Sequence, residues 1–318
     1  MSVTFKPLLA FVLGTVGLGL GTGAAPLTLR SGAGEVPVNA VPTGEVPGPA
    51  PQAGSKATLK PVAAASPDIP FHSVEFDSQA EQQILELANR SRQQAGAPPL
   101  TMDSGLTHAA RVHAHAMLEA RQLSHQFDGE PSLPNRLAAA TQLQLDQEGE
   151  NVALDTDPMQ AEQHLMLSPP HRANLLNPAY NVVGMGVVRS GDRLYVVQDF
   201  GHALPNYSLA DVKDRIAGSV QHARRNTNAA DLPRHDLASA DDTACSMAHA
   251  DKLATPAVHE LSQRYTVLTF TSLHPETLPT GSERAIAGHN LRSFSIGACY
   301  ARTETYPTGV YWVVLSLE

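Results

Sequence analysis

At 318 residues the chain is long enough for two domains, or for one domain with tails. Its formal net charge of −9 and the lack of any basic cluster argue against a nucleic-acid partner. Only two cysteines are present, and no apolar stretch after the N-terminal region is long enough to span a membrane.

Residues 1–25 read as a secretory signal peptide: Lys6, an apolar run from Leu8 to Leu20, and the small residues Thr22-Gly23-Ala24-Ala25 for cleavage. An uncleaved anchor is the alternative. After cleavage no transmembrane segment would remain, and the protein would be secreted, periplasmic or held at the cell surface. Residues 26–72 are rich in Pro, Ala, Gly and Val and carry few charges. Such a segment buries too little surface to offset its ordering entropy, so it is expected to be an extended linker.

Ser78-Gln79-Ala80-Glu81 has the form of a capping box, with Ser78 as N-cap and Glu81 reaching back. The helix it opens runs to about Ala95, with Ile84, Leu87 and Ala88 as its buried stripe; Gly96 and Pro98-Pro99 end it. Asp103 caps a second helix whose apolar face holds Leu106, Ala109, Ala110, His113 and Met117. His108, His113 and His115 share this helix, but His113 and His115 diverge on it and cannot chelate together. His113 is expected to be a hydrogen-bonded core histidine.

Residues 121–149 read mostly as loop, with a helical piece around Asn135 to Ala140. A strand over Glu150 to Leu154, a helix from Asp157-Pro158 to Met166 and a helical turn from His171 to Leu176 follow. Val182–Val188 and Leu194–Phe200, separated by Ser190-Gly191-Asp192, form a hairpin. Helices near Leu209 to Arg225 and Leu237 to Leu253 come next. Strands over Tyr265–Thr271, Ser293–Ala301 and Val310–Leu317 close the chain.

Three motifs stand out between Ser124 and Leu176: Ser124-His125-Gln126-Phe127-Asp128-Gly129, Glu148-Gly149-Glu150-Asn151, and Ser168-Pro169-Pro170-His171-Arg172-Ala173-Asn174-Leu175-Leu176. Each sets a histidine or carboxylate beside turn residues or an element end, where a side chain can project into a cleft. Their order, followed by Gly184-Met185-Gly186 and Gln198-Asp199-Phe200, resembles the CAP superfamily of cysteine-rich secretory proteins, antigen 5 and pathogenesis-related class 1 proteins. The bacterial SCP-like branch is most similar, over roughly Phe76 to Gly201.

That resemblance implies a CAP-like α-β-α sandwich over residues 73–204; the helices and strands read after it make residues 205–318 a second small α+β module, and the fold class is α+β. It implies a cavity lined by His125, Glu150 and His171. At the fourth position, where relatives outside bacteria have a glutamate, Ser168 stands. It also implies lipid, sterol or protein ligands. Two imidazoles and a carboxylate would suit Zn²⁺ with water in an open position, His125 and His171 being the metal ligands. A metal-assisted hydrolase or peptidase using His125, Glu150 and His171 is thus the alternative to a non-enzymatic binding module. A third reading is a polar network in which Glu150 braces both histidines. A serine hydrolase built on Ser124 or Ser168 lacks a G-x-S-x-G elbow.

For residues 205–318 two readings stand, a degenerate second CAP-like half or an unrelated module. Arg92 precedes Leu100 as Arg224 precedes Leu232, and Leu106 and Met117 resemble Leu237 and Met247. Val183-Gly184-Met185-Gly186 likewise resembles Ile296-Gly297-Ala298-Cys299. Cys245 and Cys299 are expected to pair as a disulfide that staples this module in an oxidising compartment.

Overall fold

The computed structural model describes residues 76–318 and the short strand β1 (Val12–Gly14). The linker expected over residues 26–72, and all of the expected signal peptide except β1, lie outside the described residues. Among the described residues no helix is long and apolar enough to cross a membrane.

Two four-stranded sheets form, each covered by helices on both faces. The first runs β2-β4-β5-β3, from β2 (Thr101–Met102), β3 (Leu145–Asp155), β4 (Val182–Ser190) and β5 (Arg193–Ala203). Only the β2–β4 pair is parallel. Strand alternation sends Val183, Met185 and Val187 toward α1 (Ser78–Gln94) and α4 (Pro158–Leu167), where they bury Ile84, Ala88, Ala161 and Leu165. On the opposite face lies α2 (Ser104–Ala120). A Cβ on Gly184 would run into the Leu106 backbone, and one on Gly186 into that of Ala110. The missing side chains let helix and sheet touch backbone to backbone. Between these layers and β3 lie α3 (Leu133–Ala140) and α5 (Pro169–Leu175).

The second sheet runs β1-β6-β8-β7, from β6 (Thr266–Ser272), β7 (Phe294–Ala301) and β8 (Val310–Leu317). One face packs on α6 (Leu209–Asn226) and α9 (Glu283–Ile286), the other on α7 (Ala238–Ala250) and α8 (Pro256–Ser262). Cys245 and Cys299 join α7 to β7 as a disulfide with a Cα–Cα distance of 5.1 Å.

The two sheets repeat one pattern. Ala80, Ile84, Ala88 and Arg92 are the buried row of α1, and Val212, Ile216, Val220 and Arg224 are that of α6. Arg92 donates to the carbonyls of Pro98, Leu175, Asn177 and Tyr180 at 2.7–2.9 Å. Arg224 does the same with Ala230, Ile286 and Gly288. Leu100 and Leu232 are both buried. Gly297 meets the Ala240 backbone as Gly184 meets that of Leu106. The equivalent of Leu106 is therefore Ala240, three residues on from the Leu237 that the sequence suggests. Cys299 then stands where the first sheet has Gly186.

Several local expectations need correction. Asp77, not Ser78, caps α1 by accepting from the Ala80 N–H at 2.9 Å. Glu81 does not reach back to the cap; it is buried in a forked pair with Arg111 at 2.6 and 2.8 Å. Leu87 is only half-buried, and Ala80 takes its place in the stripe. The helical stretch expected to reach Leu253 ends at Ala250 on a left-handed Asp251, and α8 is a separate helix capped by Thr255.

Candidate functional site

The site lies along β3, an edge strand of the first sheet. Its centre is Glu150, which is buried. One carboxylate oxygen bonds His125 Nδ1 at 2.8 Å, and the other accepts from the Arg136 guanidinium. Beneath it, Asp199 is the direct cross-strand partner of Glu150 on β5. Asp199 is fully buried, and neither oxygen has a hydrogen-bond partner among the described residues. Burial first, and then the Glu150 charge, push its carboxyl well above the ordinary range, against the pull of Arg136. Two carboxyls this close cannot both ionise at low cost, and burial disfavours a charge on Asp199.

The loop bearing His125 is pinned from below by His113. Its Nε2 bonds the Ser124 carbonyl at 2.9 Å, and its Nδ1 bonds Glu130 at 2.7 Å. Glu130 also accepts from the Phe127 N–H at 3.1 Å. Burial opposes ionisation of Glu130, but the His113 hydrogen bond and the Arg136 charge hold its carboxyl below the usual range. His113 is thus the core histidine the sequence suggests, and it fixes the motif that carries the exposed histidine.

His171 lies in the first turn of α5, and two asparagines hold that helix to the strand. Asn151 donates to the His171 carbonyl at 3.1 Å and to Gln198 at 3.1 Å. Asn174 donates to the Glu150 carbonyl at 3.1 Å and to Asn151 at 3.0 Å. The rings of His125 and His171 then face each other with centroids 6.2 Å apart. Burial and the neighbouring His125 hold His171 below the ordinary imidazole range, so it is neutral near pH 7.

His125, Glu150 and His171 are therefore brought together. Ser168 forms the joint between α4 and α5, and its side chain makes no capping hydrogen bond to α5. The buried acid of α4 is instead Glu162, which accepts from Ser91 at 3.2 Å and from Gln198 at 3.5 Å. Burial pushes it up to about 7, with those two bonds opposing. The sequence reading missed both Glu162 and Asp199. Asp199 carried a usable signal, since it shares strand parity with the inward Val197.

Two imidazoles at this separation could share a cation, but among the described residues no three His, Cys, Asp or Glu side chains come together to hold a metal ion. Glu150 is committed to His125 and Arg136. The residues present fit a two-imidazole contact completed by water, one ligand short of a catalytic zinc centre.

Helices on both faces of a small sheet, with paired histidines over a buried glutamate at its edge, define the class of domain. Residues 85–200 match the model of the cysteine-rich secretory protein family, CAP. Over this stretch the chain is similar to CAP domains of the bacterial branch. The chain is 32% identical over 112 residues to the uncharacterized protein YkwD of Bacillus subtilis, covering 35% of this chain and 43% of that one. Among solved structures it is similar to an extracellular SCP-domain protein of Bacillus anthracis: 28% identity, 39% of this chain, 41% of that one, TM-score 0.36. A cysteine-rich secretory protein of Staphylococcus aureus is also similar: 25% identity, 42% of this chain, 41% of that one, TM-score 0.32. The chain spans less than half the length of each of these three relatives.

Proposed function

We propose that the protein acts outside the cytoplasm as a binding module without chemistry of its own. Residues 73–204 form the working CAP domain and residues 205–318 a degenerate copy that supports it. The state of Glu150 carries this reading. With one oxygen on His125 and the other on Arg136, it is free neither as a general base nor as a third metal ligand. The ring edges of His125 and His171 are what the cleft offers a ligand. Exposed Leu123 and Leu167 lie within four residues of them in sequence and suit the apolar part of a lipid, sterol or protein surface.

The copy has lost the polar centre. By strand register, Glu150 and Asp199 correspond to Thr269 and Val314, and Asn151 and Gln198 to Phe270 and Val313. Export is supported by the N-terminal sequence and by the Cys245–Cys299 disulfide, which needs an oxidising compartment.

The test is a calorimetric titration of the full chain with Zn²⁺ and with sterol- or lipid-loaded micelles, beside His125→Ala and His171→Ala. A screen for peptide and ester hydrolysis runs in parallel. Lipid or sterol binding without turnover is expected, with Zn²⁺ held weakly and lost in either variant. Saturable hydrolysis abolished by His125→Ala would establish the metal-assisted hydrolase instead.

A further inference from the structure

A second acidic side chain sits on β3 two residues before Glu150 and so shares its face of the strand; Glu148 pairs with Gly201, and Glu150 with Asp199. Unlike Glu150, Glu148 has no hydrogen-bond or ion-pair partner among the described residues, although only 9% of it is exposed. It lines a cavity of about 70 Å³ where the two sheets' layers meet, walled by Pro134 and Leu145 on one side and by Leu273, Tyr306 and Thr308 on the other. A cavity of about 400 Å³ adjoins it, sharing Asp146, Leu273 and Tyr306.

The seam around these cavities is built from fixed contacts. Arg302 donates to the carbonyls of Ala138 and Thr141 at 2.6 and 2.8 Å, and Thr308 donates to that of Leu145 at 2.9 Å. Asp146, the other acid in the wall, is already balanced: His202 bonds one oxygen at 2.6 Å and His274 the other at 3.1 Å. Glu148 is the uncompensated group. Burial, and then the Asp146 charge, push its carboxyl up to about 7. A buried carboxyl without a partner is costly, and folding alone gives no reason to keep it.

We propose that the seam cavity is a ligand site for a small organic cation, an ammonium or guanidinium on an aliphatic stem, with the Glu148 carboxylate as its counter-ion. The chemistry narrows the choice. The uncompensated Glu148 carboxylate repels an anion. A hard metal ion needs several oxygen ligands, and one free carboxylate does not supply them. The inner space of about 70 Å³ is about half that of an apolar cavity of about 150 Å³ that binds benzene, and suits a head group smaller than that ring. The outer space, walled by Phe270, Leu273 and Tyr306, takes the stem.

The probe is agmatine, a guanidinium on a butyl stem, titrated calorimetrically into the full chain, with n-butylurea as its uncharged counterpart. Glu148→Gln keeps the shape and removes the charge. Thr305→Trp, at the exposed rim, blocks the entrance. Saturable one-to-one binding of agmatine and none of butylurea is expected. Glu148→Gln should weaken binding about tenfold or more, the worth of one charge-assisted contact, and Thr305→Trp should weaken it by closing the entrance. His125→Ala should leave it unchanged. The proposal is overturned if folded wild-type protein does not bind agmatine saturably, if Glu148→Gln binds as tightly, or if His125→Ala weakens binding equally. The last outcome would move the cation to the histidine cleft.

Discussion

Glu148 also makes a prediction about the free protein that needs no ligand. Its carboxyl is pushed to about 7 from an ordinary 4.5. That difference corresponds to about 3 kcal/mol of folding free energy. Below about pH 4.5 the group is protonated folded and unfolded, and it costs nothing. Between the two values the folded chain keeps a proton that the unfolded chain has lost, so stability falls as pH rises. Above about pH 7 the full penalty applies. Glutamine has no proton to lose. Glu148→Gln should therefore match wild type near pH 4 and exceed it by about 3 kcal/mol near pH 8. Urea unfolding of the full chain, followed by far-ultraviolet circular dichroism across that range, measures the gap. A gap independent of pH, or a glutamine variant less stable at pH 8, would refute the burial argument.

Three further outcomes are expected. Arg136→Leu should cost roughly 3–5 kcal/mol at neutral pH, because it strands the buried Glu150 carboxylate; a loss under about 1 kcal/mol by urea midpoint would mean that His125 alone satisfies Glu150. Replacing Cys245 and Cys299 by serine should cost roughly 4 kcal/mol, given the 54-residue separation. Trp312 on β8, the chain's one tryptophan, reports that unfolding by fluorescence. Gly297→Ala should loosen α7 by about 1–3 kcal/mol, since its Cβ would meet the Ala240 backbone; hydrogen exchange in α7 that stays as slow as in wild type would contradict the close contact.

The sequence revealed those parts of the fold whose signals are local. The β4–β5 hairpin announces itself in two β-branched runs around Ser190-Gly191-Asp192, and the stripe of α1 in its helical spacing. Long-range partners decided the rest. Asp77 and Ser78 are equally plausible caps by type, and Glu81 is removed from capping by Arg111, thirty residues away. β3 begins at Leu145 rather than Glu150 because pairing with β5 overrides the poor strand propensity of Asp146, Gln147 and Glu148. Within the site, the two histidines and Glu150 were legible as motif residues. Glu162 was not, because a glutamate on an amphipathic helix reads as solvated until Ser91 and Gln198 enclose it.

The repeated sheet gives the molecule its own internal control. The same packing problem is solved twice, once around a polar centre and once without it. What both solutions keep is what the architecture demands: the arginine that gathers carbonyls at the end of the first helix, the leucine eight residues later, and the glycine that admits a helix backbone. What differs between them is the polar centre: where the first sheet has Glu150 and Asp199, the second has Thr269 and Val314. A substitution that moves the first sheet's residue to its counterpart in the second thus separates shape from purpose within a single chain.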